Sequence, residues 1–292
     1  MCVVAAKYFE ETGWVLAKNR DRNYEPTVRM IQTKVGGVER LYLYDLQTGY
    51  SEGINEHGIA IISAAVAVKT DEKEGGKGKK GGKSPANGTS PDGRRIRKAL
   101  LEKTVDKALK SLIDSKIPGN TFITDGKICY LLESGYKPAD TERTDYQHEL
   151  VKCDKTKTYV RTNHGILLPF LGYSKKNPDQ VKKRESSDSR YEAAVKSTKA
   201  ATDPLEFLNA LGHTPHKNPQ MNPIRLEKNH PDDMLTTGQI LLIPDHKTLT
   251  YRPTLSEVEL DNYNKINGVK SETYFEIISN RQLTTFKDFV KK

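Results

Sequence analysis

Cys2-Val3-Val4-Ala5-Ala6-Lys7-Tyr8-Phe9, then Glu10-Glu11-Thr12-Gly13, then Trp14-Val15-Leu16-Ala17 and Lys18-Asn19-Arg20-Asp21 open the chain. Two short apolar runs, residues 3–9 and 14–17, flank a turn-like tetrapeptide that ends in glycine, and together they predict a β-hairpin. A hairpin returns the end of its second strand to the start of its first, so Asp21 is expected close to Cys2. A carboxylate in that position can hold an amino group, and a nearby cation favours a thiolate.

Outward from this hairpin the signals are mostly strands. Residues 41–44 and 59–66 read as strands, with a turn over 53–58 between them. Residues 121–124 and 128–133 flank Asp125-Gly126, residues 159–162 form another apolar run, and 239–243 with 248–252 bracket Pro244-Asp245-His246-Lys247. Residues 274–279 are a candidate closing strand. Between them Ile96, Leu100, Leu101, Val105, Ala108, Leu109, Leu112 and Ile113 recur at three- and four-residue spacing, predicting one amphipathic helix over about residues 94–115. Ser189 with Glu192, and Asp203-Pro204-Leu205-Glu206, read as helix starts. Strands, helices and strands again, without regular βαβ alternation, imply an α+β protein with antiparallel sheets. The sequence has no GxGxxG, P-loop or GxSxG pattern to support a nucleotide-binding or serine-hydrolase reading.

The 292 residues are taken as one domain spanning 1–292. The net charge of +9 invites a nucleic-acid reading, but its distribution argues otherwise. Residues 69–98 hold ten Lys or Arg against four Asp or Glu, a net of +6. Much of that excess sits in a Gly/Lys-rich stretch that cannot bury apolar area, so residues 70–93 are expected to be a flexible loop. Asn87-Gly88-Thr89 in this loop matches a glycosylation sequon, which is discounted for want of a secretion signal. No stretch approaches the ~20 apolar residues of a membrane span, and no charged region precedes an apolar one at the start, so a cytoplasmic location without membrane association is expected.

The cysteines are Cys2, Cys129 and Cys153, too few and too irregular for a disulfide framework or structural zinc. Cys129 lies in an apolar run and reads as a buried strand residue; Cys153, between Lys152 and Asp154, reads as a surface thiol. His213, His216, His230 and Asp232 could be imagined as a metal set, but Pro215 breaks the helical spacing of the first two, so no metal is expected.

Cys2 is where chemistry concentrates. Removal of Met1 would give one residue both a thiol and an α-amine, with ordinary pKa values of about 8.5 and about 7.7–8.0, so nucleophile and base come together. Cys2, the Asn19-Arg20-Asp21 cluster, Asn55-Glu56-His57-Gly58-Ile59, the segment 120–126, Thr162-Asn163-His164 and Ser187-Asp188-Ser189-Arg190 follow one another in an order similar to cysteine N-terminal-nucleophile hydrolases. The chain resembles their choloylglycine hydrolase and penicillin V acylase group, with the acyl-CoA:isopenicillin N acyltransferase-like branch, over roughly residues 2–280.

That resemblance implies an αββα four-layer sandwich of two antiparallel sheets and a hydrolase or acyltransferase acting on a linear, non-peptide or small peptide-like amide. It implies Cys2 as nucleophile, Asp21 binding the α-amine, Asn163 polarising the substrate or attacking group, and Arg190 supporting the site electrostatically. Lys18 stands where bile salt hydrolases carry arginine, with Arg20 beside it as a second candidate cation. Ala65 falls where an oxyanion-hole asparagine is expected and offers only its backbone N–H. The implied partner is a small amide or acyl substrate, without cofactor, and the resemblance allows a homo-oligomer. Two rival readings remain. Met1-Cys2 with Asn19-Arg20-Asp21 also looks like the opening of NRDE-domain, ligand-handling proteins, although Arg22 replaces their glutamate; the basic loop leaves a nucleic-acid binder as the weaker rival.

Overall fold

The computed structural model describes residues 2–24, 26, 28–66, 90–137, 144–173, 175, 178–227, 233–254 and 284–285. Two antiparallel sheets carry the architecture. The first is built from β1 (Cys2–Phe9), β2 (Gly13–Arg22), β10 (Tyr159–Arg161), β11 (Leu235–Ile243), β12 (Thr248–Pro253) and β13 (Thr284–Thr285), in the order β10-β1-β2-β11-β12-β13. The second runs in sequence order through β3 (Val28–Val35), β4 (Val38–Asp45), β5 (Ser51–Asn55), β6 (Ala60–Ala64), β7 (Gly119–Thr124), β8 (Cys129–Tyr136) and β9 (Tyr146–Lys152). Helices α1 (Pro91–Ala99) and α2 (Val105–Asp114) cover the second sheet; α3 (Pro178–Thr198) and α4 (Pro204–Ala210) cover the first.

Strand periodicity explains the layers. In β1 and β2, Val4, Ala6, Trp14 and Leu16 point between the sheets, where they meet Leu41, Ile54, Ile62 and Phe122. Val3, Ala5, Val15 and Ala17 point the other way, onto Ala194 of α3 and Phe207 and Leu208 of α4. The outer face of the second sheet packs Ile61, Ile123 and Leu132 against Ile96, Leu109 and Leu112 of α1 and α2. Strands covered on both faces read as unbroken apolar runs, as residues 3–6 do. The result is the expected αββα sandwich.

The opening hairpin forms as expected, with Gly13 at φ +67° in its turn and Cys2 directly opposite Arg20. Four other expectations need correction. Residues 53–58 are not all turn: Gly53 lies inside β5, paired with Tyr42 of β4, where the Leu41 carbonyl leaves no room for a Cβ. The turn is confined to Glu56 and His57. The helix expected over 94–115 is two helices. Asn55 Nδ2 donates to the carbonyls of Leu100 (3.1 Å) and Glu102 (2.7 Å), capturing acceptors a continuous helix would need, and Thr104 caps α2. Ser189 does not start a helix but lies in the middle of α3, so Arg190 is a mid-helix residue and no N-terminal dipole acts on it. Cys153 is buried, 8% exposed, because pairing continues one residue past β9: its N–H donates to the Cys129 carbonyl at 2.8 Å.

Asp203 does cap α4 through bonds from the Leu205 and Glu206 N–H groups, and the β11–β12 hairpin is present. Of the segment expected as a loop, residues 70–89 lie outside the described residues, whereas Ser90 caps α1 and Pro91 to Gly93 form its first turn. The glycosylation sequon, the strand expected at 274–279, His230 and Asp232 also lie outside the described residues. Among the described residues, no helix is long and apolar enough to cross a membrane.

Candidate active site

β2 turns from apolar to polar at Lys18, and its alternation sorts the polar side chains into two sets. Lys18, Arg20 and Arg22 continue the face of Trp14 and Leu16, between the sheets; Asn19 and Asp21 continue the face of Val15 and Ala17, toward the helices. Both sets are met by opposite partners. Lys18 Nζ pairs with Glu52 and donates to the Ser63 carbonyl at 2.6 Å. Arg20 pairs with Asp45 at 3.0 Å and Glu52 at 3.5 Å. Asp21 accepts from Arg190 Nη1 at 3.2 Å, lies 3.5 Å from Arg225 Nη1, and accepts from Thr236 Oγ1 at 2.7 Å.

Cys2 begins β1 at the edge of a cavity of about 280 Å³ that Asp21, Ala65 and Asn163 also line. Its N–H donates to Asn163 Oδ1 at 2.8 Å, and its carbonyl accepts from Arg190 Nη1 at 3.4 Å. Arg190 Nη2 donates to the same Asn163 oxygen at 3.1 Å, so one guanidinium spans Asp21, Asn163 and the Cys2 backbone. Asn163 Nδ2 donates to the Ala65 carbonyl at 2.6 Å, and its backbone N–H donates to Ser187 Oγ at 3.2 Å. Arg22 Nη1 lies 3.8 Å from Cys2 Sγ.

Cys2, Asp21, Asn163 and Arg190, four residues far apart in sequence, therefore converge. Ala65 reaches the same cavity and engages Asn163 through its carbonyl. Lys18 and Arg20 do not line the cavity; both are fully buried between the sheets on carboxylates. Lys18 nonetheless acts on the thiol through its charge. Burial pushes the Cys2 thiol up, but nearby positive charge, Lys18 foremost and Arg22 with it, outweighs burial, and with Met1 still attached the pKa is lowered to about 7. Burial and the neighbouring Arg225 charge lower Arg190 to about 9, against the opposing pull of Asp21, which leaves the guanidinium protonated at neutral pH. By contrast, burial and the adjacent Cys153 thiol push Cys129 well up.

Five contributors were not read from the sequence, one of which it does signal. Arg22 was legible by strand parity, two residues beyond Arg20 on the face that carries Cys2. Arg225 and Thr236 carry no local signal, since the pairing of β11 with β2 brings Thr236 opposite Asp21. Glu52 and Asp45 come from the second sheet. Among the described residues no cluster of His, Cys, Asp and Glu could hold a metal ion.

No family model matches the sequence, and no curated protein matches it. Among solved structures, the chain is similar to penicillin V acylase from Agrobacterium tumefaciens, at 11% identity over 86% of this chain and 83% of that one, with a TM-score of 0.48. It is also similar to the C2A mutant of conjugated bile acid hydrolase from Clostridium perfringens, at 13% identity over 87% and 89% of the two chains, with a TM-score of 0.46.

Proposed function

We propose that this chain cleaves or transfers the acyl group of a small linear amide, with Cys2 as nucleophile once the Met1–Cys2 bond has been cut. One observation carries the reading: the nitrogen and the thiol of Cys2 meet at one cavity, the nitrogen on Asn163 Oδ1 and the thiol at a pKa of about 7. Bond cleavage turns that nitrogen into an α-amine. The thiolate attacks the amide carbonyl, and the α-ammonium passes its proton to the departing amine, leaving a thioester on Cys2. Water, deprotonated by the α-amine, then attacks the thioester, releasing a carboxylic acid and restoring the thiol. An amine acceptor in place of water gives acyl transfer.

The remaining residues support these steps. Asn163 Oδ1 orients the amine, and Asn163 Nδ2 has a second N–H, beyond the one on Ala65, for the oxyanion. Asp21 carries negative charge next to Cys2 while Arg190 ties it to Asn163. Lys18 and Arg22 favour the thiolate. A thiol lowered toward neutrality favours this enzyme reading over a ligand-handling protein, which needs no activated nucleophile.

The test begins with intact mass, where loss of Met1 is expected. The processed protein is then mixed with a panel of acyl p-nitroanilides and quenched in acid, where a burst and an acyl adduct on Cys2 are expected, both absent in Cys2→Ala. Retention of Met1, or a processed protein that takes no acyl group from any member, counts against catalysis.

A further inference from the structure

We propose that Cys129 and Cys153 are a redox pair, which a low-molecular-weight disulfide such as oxidised glutathione closes into a covalent staple at the edge of the second sheet. The pair lies outside the Cys2 cavity and takes no part in the chemistry proposed there.

Strand register brings the two residues together. β8 and β9 pair antiparallel from Tyr136 with Tyr146 to Tyr130 with Lys152, and one further step sets Cys129 opposite Cys153. The Cys153 N–H donates to the Cys129 carbonyl at 2.8 Å, so that step is made. Facing residues in an antiparallel ladder lie about 4.5–5.5 Å apart at Cα, within the ~4.4–6.8 Å that a disulfide spans. Both side chains enter the core between the sheets, in one cluster with Leu131 and Trp14. Both are free thiols, and they hydrogen-bond to each other; burial first, and then this contact, hold the proton on Cys129.

The staple falls where the fold is thinly held. β9 is an edge strand, and among the described residues Val151 and Cys153 are what this edge gives to the core between the sheets. Directly after Cys153 the chain turns, with the Asp154 N–H on the Tyr159 hydroxyl at 2.8 Å, and crosses to β10, which pairs with β1 and leads into Asn163. A bond to Cys129 anchors that crossover to β8, an interior strand of the second sheet. Closure takes two exchanges. Cys153, 8% exposed where Cys129 is fully buried, loses its proton and attacks the small disulfide, giving a mixed disulfide and one small thiol. The Cys129 sulfur then loses its proton, attacks the Cys153 sulfur and expels the second small thiol. Two protein thiols are oxidised and one small disulfide is reduced.

The test uses Cys2→Ala, in which these two thiols are the only ones left. The protein is held without oxygen in buffers of reduced and oxidised glutathione until the reduced native and the oxidised refolded samples agree, then quenched in acid. Closure reads as a mass lower by two hydrogens and as a Cys129–Cys153 cross-link in the peptide map. A disulfide that closes a loop of about 25 residues should lower the unfolding constant by about 30- to 700-fold, read as a higher urea midpoint. By linkage, the squared reduced-to-oxidised glutathione ratio at half closure should be higher in the folded protein than in the urea-unfolded chain by that same factor. Cys153→Ser in this background should show the same urea midpoint in oxidising and reducing buffer.

A half-closure ratio no higher in the folded protein than in the unfolded chain overturns the proposal, as does glutathione that stays on Cys153 as a mixed disulfide. If Cys153→Ser does not fold, the comparison of folded and unfolded Cys2→Ala decides alone. Because Cys2 is absent from the measurement, failure to cleave any amide would sink the hydrolase reading and leave this result standing.

Discussion

Replacing Lys18 by methionine tests how the Cys2 thiol comes to ionise near neutrality. Burial raises that thiol, and Lys18 is the foremost of the charges that bring it down to about 7. An opposite charge nearby typically accounts for 1–3 pKa units, so its loss should move the Cys2 value up by roughly two. At pH 7 the ionised fraction then falls from about one half to about one hundredth. A more basic thiolate is intrinsically the better nucleophile, and a Brønsted coefficient of about 0.4–0.5 returns roughly six- to tenfold. The net expectation is a reaction with iodoacetamide about five- to eightfold slower at pH 7, a faster one above pH 10, and a titration midpoint near 9. Glu52 keeps Arg20 at 3.5 Å, so the variant should lose less than the ~3–5 kcal/mol that stranding a buried charge costs. The assay is the pH dependence of alkylation at Cys2, resolved by peptide mass and accompanied by circular dichroism. A midpoint still near 7 in a folded variant would refute the assignment of Lys18 as the activating charge.

Asp21→Asn strands Arg190 and Arg225, both fully buried, and should cost about 3–5 kcal/mol, read as a lower urea midpoint than that of Cys2→Ala. Asn55→Ala removes two donated and two accepted hydrogen bonds at the break between α1 and α2, and should cost roughly 2–4 kcal/mol in the same measurement. Burial and the Arg184 charge lower His164 from 6.5 to about 4, against the pull of Asp188. The unfolded chain therefore takes up a proton between those values that the folded one refuses. Stability should be whole above pH 6.5 and fall by up to about 3 kcal/mol as pH drops to 4, with His164→Gln flattening the slope. Cys2 is 4% exposed with its N–H bonded, so protein refolded with Met1 attached should resist a methionine aminopeptidase that trims the unfolded chain; equal trimming of both would contradict the packing of β1.

What the sequence makes legible follows from where apolar side chains sit. β1, β2, β7 and β11 are covered on both faces and announce themselves as apolar runs. The edge strands β3 and β9 carry mostly half-buried or exposed side chains, and their pattern is too weak to read. α3 hides for another reason: its sheet-facing stripe includes Ser187, Arg190, Ala194 and Thr198, so a buried helix face looks like a solvated one. Ser189 mimics a cap, yet it bonds outward to the Met221 carbonyl. The candidate site residues are legible through their order along the chain and through the hairpin that returns Asp21 toward Cys2. Glu52, Asp45 and Thr236 on other strands, and Arg225 held beside Thr236, depend on which strands lie side by side, and no local pattern encodes that.

The Asn163 side chain touches the first sheet through Cys2, the end of β6 in the second through Ala65, and the helical layer through Arg190. Until those three layers have come together, the thiol at position 2 has neither its lowered pKa nor its oriented nitrogen. A chain still emerging from the ribosome, or one partly unfolded, carries an ordinary cysteine. The reactivity proposed for Cys2 is therefore a property of the assembled fold, acquired late in folding and lost early in unfolding.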